Sequence, residues 1–262
     1  MSPFDAVAPY FDRHRALPDG AAEKVRGAIL AALAPRRDGA AGGRARLLDL
    51  GAGSGRIGWS FVAAGDDYVG IDLSYRMLQT FGHDTRIRAV LVQADGCALP
   101  FGTATFDAVL LVQVFGGLSG WRRLLDEGRR VLRPDGALIL GRTATPADGV
   151  DARMKQHLAT LLAGRATRPE RRNTREDAML YLAAIASTDT QHVAASWTAG
   201  RSPRMFLNRH AGGARFSRLP RAAREDALRV LAAWAQIQFG DLDATFPETH
   251  RFEMRLFRFS GG

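Results

Sequence analysis

Along this chain, short unbroken apolar runs alternate with stretches in which apolar residues recur every three or four positions. The first periodic stretch, residues 20–34, sets Val25, Ala28, Ile29, Ala32 and Leu33 on one face and predicts an amphipathic helix. The turn-rich "PRRDGAAGGRA" (35–45) follows as a linker. From there the two patterns take turns. "RLLDL" (46–50) predicts a short buried strand, and residues 55–64 a helix that buries Ile57 and Phe61, with Gly65 as its C-cap. "DYVGID" (67–72) predicts a strand, and residues 74–82 a helix capped by Ser74, with Met77, Leu78 and Phe81 on one face. "AVLVQAD" (89–95) and "FDAVLLVQVF" (106–115) are further strands. Residues 121–132 predict a helix with Trp121, Leu124, Leu125, Val131 and Leu132 facing inward, "RPDG" turns the chain, and "ALILGR" (137–142) is again a strand.

Strands with continuous apolar runs, separated by helices, belong in a parallel sheet covered on both faces. The pattern therefore predicts a doubly wound α/β fold. After Thr143 the rhythm changes: residues 151–164 and 175–187 read as helices, 190–198 as a strand, and 203–239 as mostly helical. "HRFEMRLFRF" (250–259) alternates apolar and polar residues and predicts a strand near an edge. With no internal repeat, residues 1–262 are expected to form one domain, its later helical blocks capping the sheet.

Composition narrows the functional classes. A chain of 262 residues, 46% hydrophobic and 24% charged, has the make-up of a soluble globular protein with a sizeable core. No apolar run approaches the ~18 residues of a membrane span. "MSPFDAVAPYFDRHR" lacks the basic-then-apolar pattern of an export leader, so a cytoplasmic location is expected. The single cysteine, Cys97, excludes an internal disulfide and a cysteine-based metal cluster, and no metal is expected. The 36 Lys and Arg against 27 Asp and Glu leave a net charge of +9, which raises a nucleic-acid partner. The basic concentrations, "RATRPERRNTR" (165–175) and "RFSRLPRAAR" (215–224), lack the interleaved aromatics of a base-stacking platform, so a nucleic-acid partner is disfavoured.

Ligands of open α/β sheets bind beyond the carboxyl ends of the strands, so the informative residues are those that end strands. Four such positions can be read. In "LLDLGAGSGRIG" (47–58), Gly51, Gly53 and Gly55 permit close backbone approach, and the helix that follows offers N–H groups to an anion. Asp72 ends the second strand 21 residues after Gly51, where a carboxylate can accept two ribose hydroxyls. Asp95, followed by Gly96, ends the third strand and can accept from an exocyclic amine. Gln113 lies near the end of the fourth, facing the point where a reactive group would project. Each has a plain alternative: a tight bend, a helix cap, a turn acid, a satisfied strand-end amide. Together they agree on a nucleoside ligand. Gly53, Gly55 and Gly58 also satisfy the dinucleotide fingerprint G-x-G-x-x-G, but that fingerprint wants its first glycine directly after the strand, a place held by Gly51. Counted from Gly51, its third position falls on Arg56, and the acid at Asp49 is foreign to it.

These residues resemble the class I S-adenosylmethionine-dependent methyltransferases. "LLDLGAGSGRIG" is similar to their first motif and "VGIDLSYRML" to their second. "QADGCALPFGTATFDAVLLV" and "WRRLLDEGRRVLRPDGALIL" resemble the third to fifth strands with their connections. The likeness runs over residues 44–143, which it implies are the cofactor-binding core. It also implies a seven-stranded, mostly parallel sheet with an antiparallel last strand, and a helical cap from residues 1–20, 144–187 and 200–248. Asp49 and the backbone of Gly51 and Gly53 would hold the methionine end of S-adenosylmethionine. Asp72 would hold the ribose, Leu73 and Met77 would flank the adenine, and Asp95 with Gly96 would read its edge. "FDRHR" (11–15) resembles a segment that folds over the cofactor, with Phe11 in place of a tyrosine; Arg15 and Arg56 are candidates for the methionine carboxylate.

The same likeness leaves the acceptor open. Relatives acting on small molecules often carry a histidine after the fourth strand, and "VQVFGGLSGW" (112–121) has none. The remaining candidates for a catalytic role are His14, His157 and Gln113. "QVFG" (113–116) is not the Asn/Asp-Pro-Pro-aromatic tetrad of base-amine methyltransferases. The expected activity is methyl transfer to an O, N or C nucleophile of a small molecule. The alternatives are an RNA methyltransferase and a protein that binds S-adenosylmethionine without catalysis.

Overall fold

The structure, a computed structural model, describes residues 17–33, 44–83, 89–115, 118–163, 174–211 and 221–260. In chain order the elements are α1 (Ala21–Leu33), β1 (Arg46–Leu50), α2 (Gly58–Ala63), β2 (Asp67–Asp72), α3 (Tyr75–Phe81), β3 (Val90–Gln93), β4 (Phe106–Val112), α4 (Trp121–Val131) and β5 (Leu132–Ala144). They continue with α5 (Val150–Ala163), α6 (Thr174–Ile185), β6 (Thr188–Arg201), α7 (Pro203–Ala211), α8 (Arg221–Phe239) and β7 (Phe246–Arg258). Every strand and helix read from the hydrophobic pattern is present, most with ends shifted by one to three residues.

The seven strands form one mixed sheet in the order β3-β2-β1-β4-β5-β7-β6. β1 to β5 pair in parallel, and the last strands run antiparallel. β1 and β4 lie side by side although β2, β3 and two helices separate them in sequence. The order therefore reverses beside β1, and such a reversal opens a crevice at the strand ends. Between β4 and β5 the register jumps from Phe106–Leu132 to Ala108–Ala137, so the "RPDG" segment bulges out of the ladder instead of forming an isolated turn. The final strand lies near an edge, as its alternation predicts: β7 is second from the outside, with β5 on one side and the edge strand β6 on the other. Alternation in a sequence reports that one face of a strand is covered.

Contacts divide the chain into two compact units. The first comprises residues 1–143, 171–195 and 252–262. Its core is built from the inner strands, where Leu48, Leu50, Val109, Leu111, Leu138 and Leu140 are buried, with Leu124, Leu125 and Val131 of α4 packed over them. Ala178 and Leu182 of α6 join this core, and Tyr181 packs edge-on against Trp121, so α6 clusters with the sheet. The second unit comprises residues 144–170 and 196–251. Its core holds Met154 and Leu158 of α5, Phe206 and Leu207 of α7, and Leu231 and Ala235 of α8.

Candidate functional site

β1 delivers the site's first acid. Arg46–Leu50 pairs with β2 on one side and β4 on the other, so Asp49 is carried into the sheet interior, where it is 3% exposed. Its Oδ2 accepts a 2.7 Å hydrogen bond from the Tyr68 hydroxyl, whereas its Oδ1 is buried with no hydrogen-bond partner among the described residues. Burial, with the nearby Asp72 charge adding to it and the Tyr68 hydrogen bond opposing it, pushes this carboxyl up to about 7. A fully buried carboxyl with one oxygen unpaired costs a fold stability, and such groups cluster where ligands bind.

The chain then leaves the sheet through the glycine turn. Gly51 and Gly53 adopt φ of +81° and +57°, a region that side chains rarely allow. A Cβ at Gly51 would lie 2.6 Å from Val114 Cγ1, and one at Gly53 would lie 3.3 Å from Met77 Cε. The Gly51 and Ala52 N–H groups both donate to the Ile71 carbonyl at 2.9 Å, which ties the turn to the end of β2. The turn is a cradle whose floor has no room for side chains.

β2 ends at Asp72, whose two carboxylate oxygens brace the site. Oδ2 accepts from the Gly53 N–H at 3.0 Å, and Oδ1 accepts from the Ser74 N–H at 2.8 Å. Ser74 caps α3, its side chain accepting from the Met77 N–H at 3.3 Å, and this fixes the buried Met77 beneath the glycine turn. Leu73, by contrast, is 56% exposed. Two residues beyond β3, Asp95 accepts from the Cys97 N–H at 2.8 Å and so closes a small turn around Gly96. The Cys97 thiol donates to the Gly120 carbonyl at 3.4 Å, and burial with the Asp95 charge raises its pKa.

At the end of β4, Gln113 has φ of +58°, unusual for a side-chain-bearing residue, while its N–H donates to the Gly141 carbonyl at 3.0 Å. Its Oε1 accepts from Arg56 Nη1 at 3.4 Å. The structure therefore gathers Asp49, Gly51, Gly53, Arg56, Asp72, Met77 and Gln113 at adjoining strand ends of the first unit. His14 and Arg15 lie outside the described residues. His157 lies on α5 in the second unit, its ring stacked on Trp234 at 4.2 Å.

Sequence reading missed three supports. Tyr68 is hidden in an apolar run, and only its hydroxyl marks it. Val114 follows Gln113 and packs against Gly51. Glu127 accepts from the Leu99 N–H at 2.8 Å and pairs with Arg130, which donates to the carbonyls of Phe101 and Leu99; α4 thereby pins the loop after Asp95. The second unit holds a polar interior of its own. Glu248 accepts from the Val150 N–H and lies 3.7 Å from His250, both side chains being buried, and Trp197 stacks on the His250 ring. Burial raises the Glu248 carboxyl and lowers the His250 imidazole, so each favours its neutral form.

Comparison with known proteins agrees with this fold. Residues 48–140 match the family model described as a methyltransferase domain. The demethylmenaquinone methyltransferase of Renibacterium salmoninarum is 32% identical over 147 residues, covering 56% of this chain and 59% of the relative. The ubiquinone/menaquinone biosynthesis C-methyltransferase of Syntrophotalea carbinolica is 31% identical over 151 residues, covering 55% of this chain and 61% of the relative. The chain thus spans less than two thirds of these relatives' length. Among solved structures, an S-adenosylmethionine-dependent methyltransferase from Thermotoga maritima superposes with a TM-score of 0.52 at 15% identity, covering 98% of this chain and 97% of that one. That likeness concerns the fold.

Proposed function

We propose that residues 48–140, which match a methyltransferase domain, are of the class I S-adenosylmethionine-dependent kind, and that the chain moves a methyl group from S-adenosylmethionine to a nucleophilic atom of a small molecule. The observation that carries the reading is the pairing of a turn whose glycine positions leave no room for side chains with two acids at adjoining strand ends. One of those acids, Asp49, has a buried oxygen that nothing in the described chain satisfies. These features fit the cofactor. Its amino-acid end brings an ammonium for a buried carboxylate, and its ribose brings hydroxyl donors for Asp72.

When bound, the cofactor supplies an electrophilic methyl on a sulfonium. The protein's share is to hold the reacting atoms in line and keep water away. Asp49 and the turn would fix the amino-acid end, Asp72 the ribose, and Met77 one face of the adenine, with Asp95 and Gly96 at its edge. Gln113 would face the point where the methyl projects, and Arg56, hydrogen-bonded to it, would be a partner for the methionine carboxylate. One proton leaves the acceptor as the new bond forms. The segment after β4 carries no histidine to receive it, which suits an acceptor that is already acidic or a carbon activated by its own ring. The names of the curated relatives favour the second, a carbon of a quinol-type ring.

Binding is tested by calorimetry with S-adenosylmethionine. Asp72→Ala is expected to weaken affinity at least tenfold, since it removes both the ribose acceptor and the anchor of the Gly53 N–H. Affinity equal to wild type would overturn the site. The acceptor is tested with methyl-labelled cofactor offered alongside reduced demethylmenaquinone or RNA. Label is expected in the quinol, and label in RNA alone would overturn the small-molecule reading.

A further inference from the structure

Asp49 and Tyr68 form a buried pair that the glycine turn does not require. The two stand on neighbouring parallel strands, with Leu47 opposite Tyr68 and Asp49 opposite Gly70, so the tyrosine reaches the acid diagonally across the sheet. Its ring is held on both sides, stacked on Phe61 at 5.8 Å and edge-on to Phe81 at 6.0 Å. Room for its hydroxyl exists only because residue 58 is glycine. A Cβ there would lie 2.2 Å from Tyr68 Oη and 2.7 Å from Phe81 Cζ. Gly58 and Phe61 of α2 and Phe81 of α3 thus converge on one hydrogen bond, from Tyr68 to Asp49 Oδ2, and leave Oδ1 as the carboxylate's unsatisfied acceptor among the described residues.

Resting on the reading that the turn holds the amino-acid end of the cofactor, we propose that Tyr68 is a positioning residue that eases the ionisation of Asp49, making uptake of the cofactor's ammonium a proton-linked step. The groups that bear on Asp49 are few. Tyr68 donates to its charged form, Asp72 opposes that form by like charge, and burial opposes it further. The balance leaves the carboxyl near neutrality in the free protein, so a cationic ligand placed beside it expels a proton when the solution is at or below that point. Without the Tyr68 hydroxyl, burial and Asp72 act unopposed and the same expulsion persists to higher pH.

The test is calorimetry with S-adenosylmethionine and with S-adenosylhomocysteine from pH 6 to 8.5, in two buffers of different ionisation enthalpy. Wild type is expected to lose affinity by about tenfold per pH unit on the acid side of neutrality and to release up to one proton per ligand there. Tyr68→Phe, which keeps the packed ring, is expected to move that midpoint up by roughly one unit while leaving the affinity at high pH close to wild type. Asp49→Asn should bind weakly with no loss of affinity on the acid side of neutrality. A flat wild-type profile, or a Tyr68→Phe loss that is equal at every pH, would overturn the proposal. The carboxyl carbon resonance of Asp49, titrated without cofactor, separates the two readings. An unmoved Asp49 midpoint in Tyr68→Phe refutes the pair itself. A shifted midpoint alongside wild-type binding by Asp49→Asn refutes the assignment of the turn and, with it, the linkage.

Discussion

The buried carboxyl of Asp49 is expensive in the ionised form that would serve a cationic ligand. An ordinary aspartate titrates near 3.8, whereas here the native state holds its proton up to about 7. Between those values the folded chain binds a proton that the unfolded chain has released, so stability falls as pH rises through the window and the cost is complete above it. Three units correspond to about 4 kcal/mol at most. Asp49→Asn, which stays neutral, is therefore expected to be more stable than wild type at pH 8 and indistinguishable from it near pH 4. Guanidinium unfolding at the two pH values measures this. The same variant is expected to lose cofactor affinity, the usual trade where a site keeps a group that the fold alone would discard.

At the scale of elements, α4 does more than cover the sheet. Glu127 and Arg130, one turn apart, grip the backbone of Leu99 and Phe101 and so position the loop that begins at Asp95. The hydrogen bonds from Arg130 and Leu99 hold the Glu127 carboxyl down to about 2. With the folded value below the unfolded one, that stabilisation is present above about pH 4.5 and lost as pH falls toward 2. Glu127→Ala should cost about 1–2 kcal/mol at pH 7, since the pair is partly solvated, and should make the protein less sensitive to acid. Melting curves at pH 7 and pH 3 decide it. None of this was legible in the sequence, where Glu127 and Arg130 look like the solvated face of an amphipathic helix. What was legible had a local cause: strands announce themselves by apolar runs, and Asp49, Asp72 and the glycines sit where such runs stop. Tyr68, Val114 and Gly58 matter through partners far along the chain, and period alone cannot show a partner.

For the whole molecule, the net charge of +9 is the feature that most invites a different substrate. In the first unit Arg26, Arg133, Arg142 and Arg255 are paired with Asp66, Asp107, Glu253 and Asp189. In the second, Arg204, Arg209 and Arg229 are paired with Asp243, Asp151 and Asp226. An arginine already held by a carboxylate gains little from a phosphate, since it must give up one anion to meet another. These seven arginines would release few condensed counterions on contact with RNA. Binding to a structured RNA, followed by fluorescence anisotropy between 50 and 200 mM salt, is therefore expected to be weak, with a logarithmic salt slope of no more than about 2. A slope near 6 would mean that a contiguous row of free cations tracks the backbone. Together with methyl label in the RNA, that result would replace the proposed small-molecule acceptor with a polymeric one while leaving the proposed cofactor site at β1 and β2 unchanged.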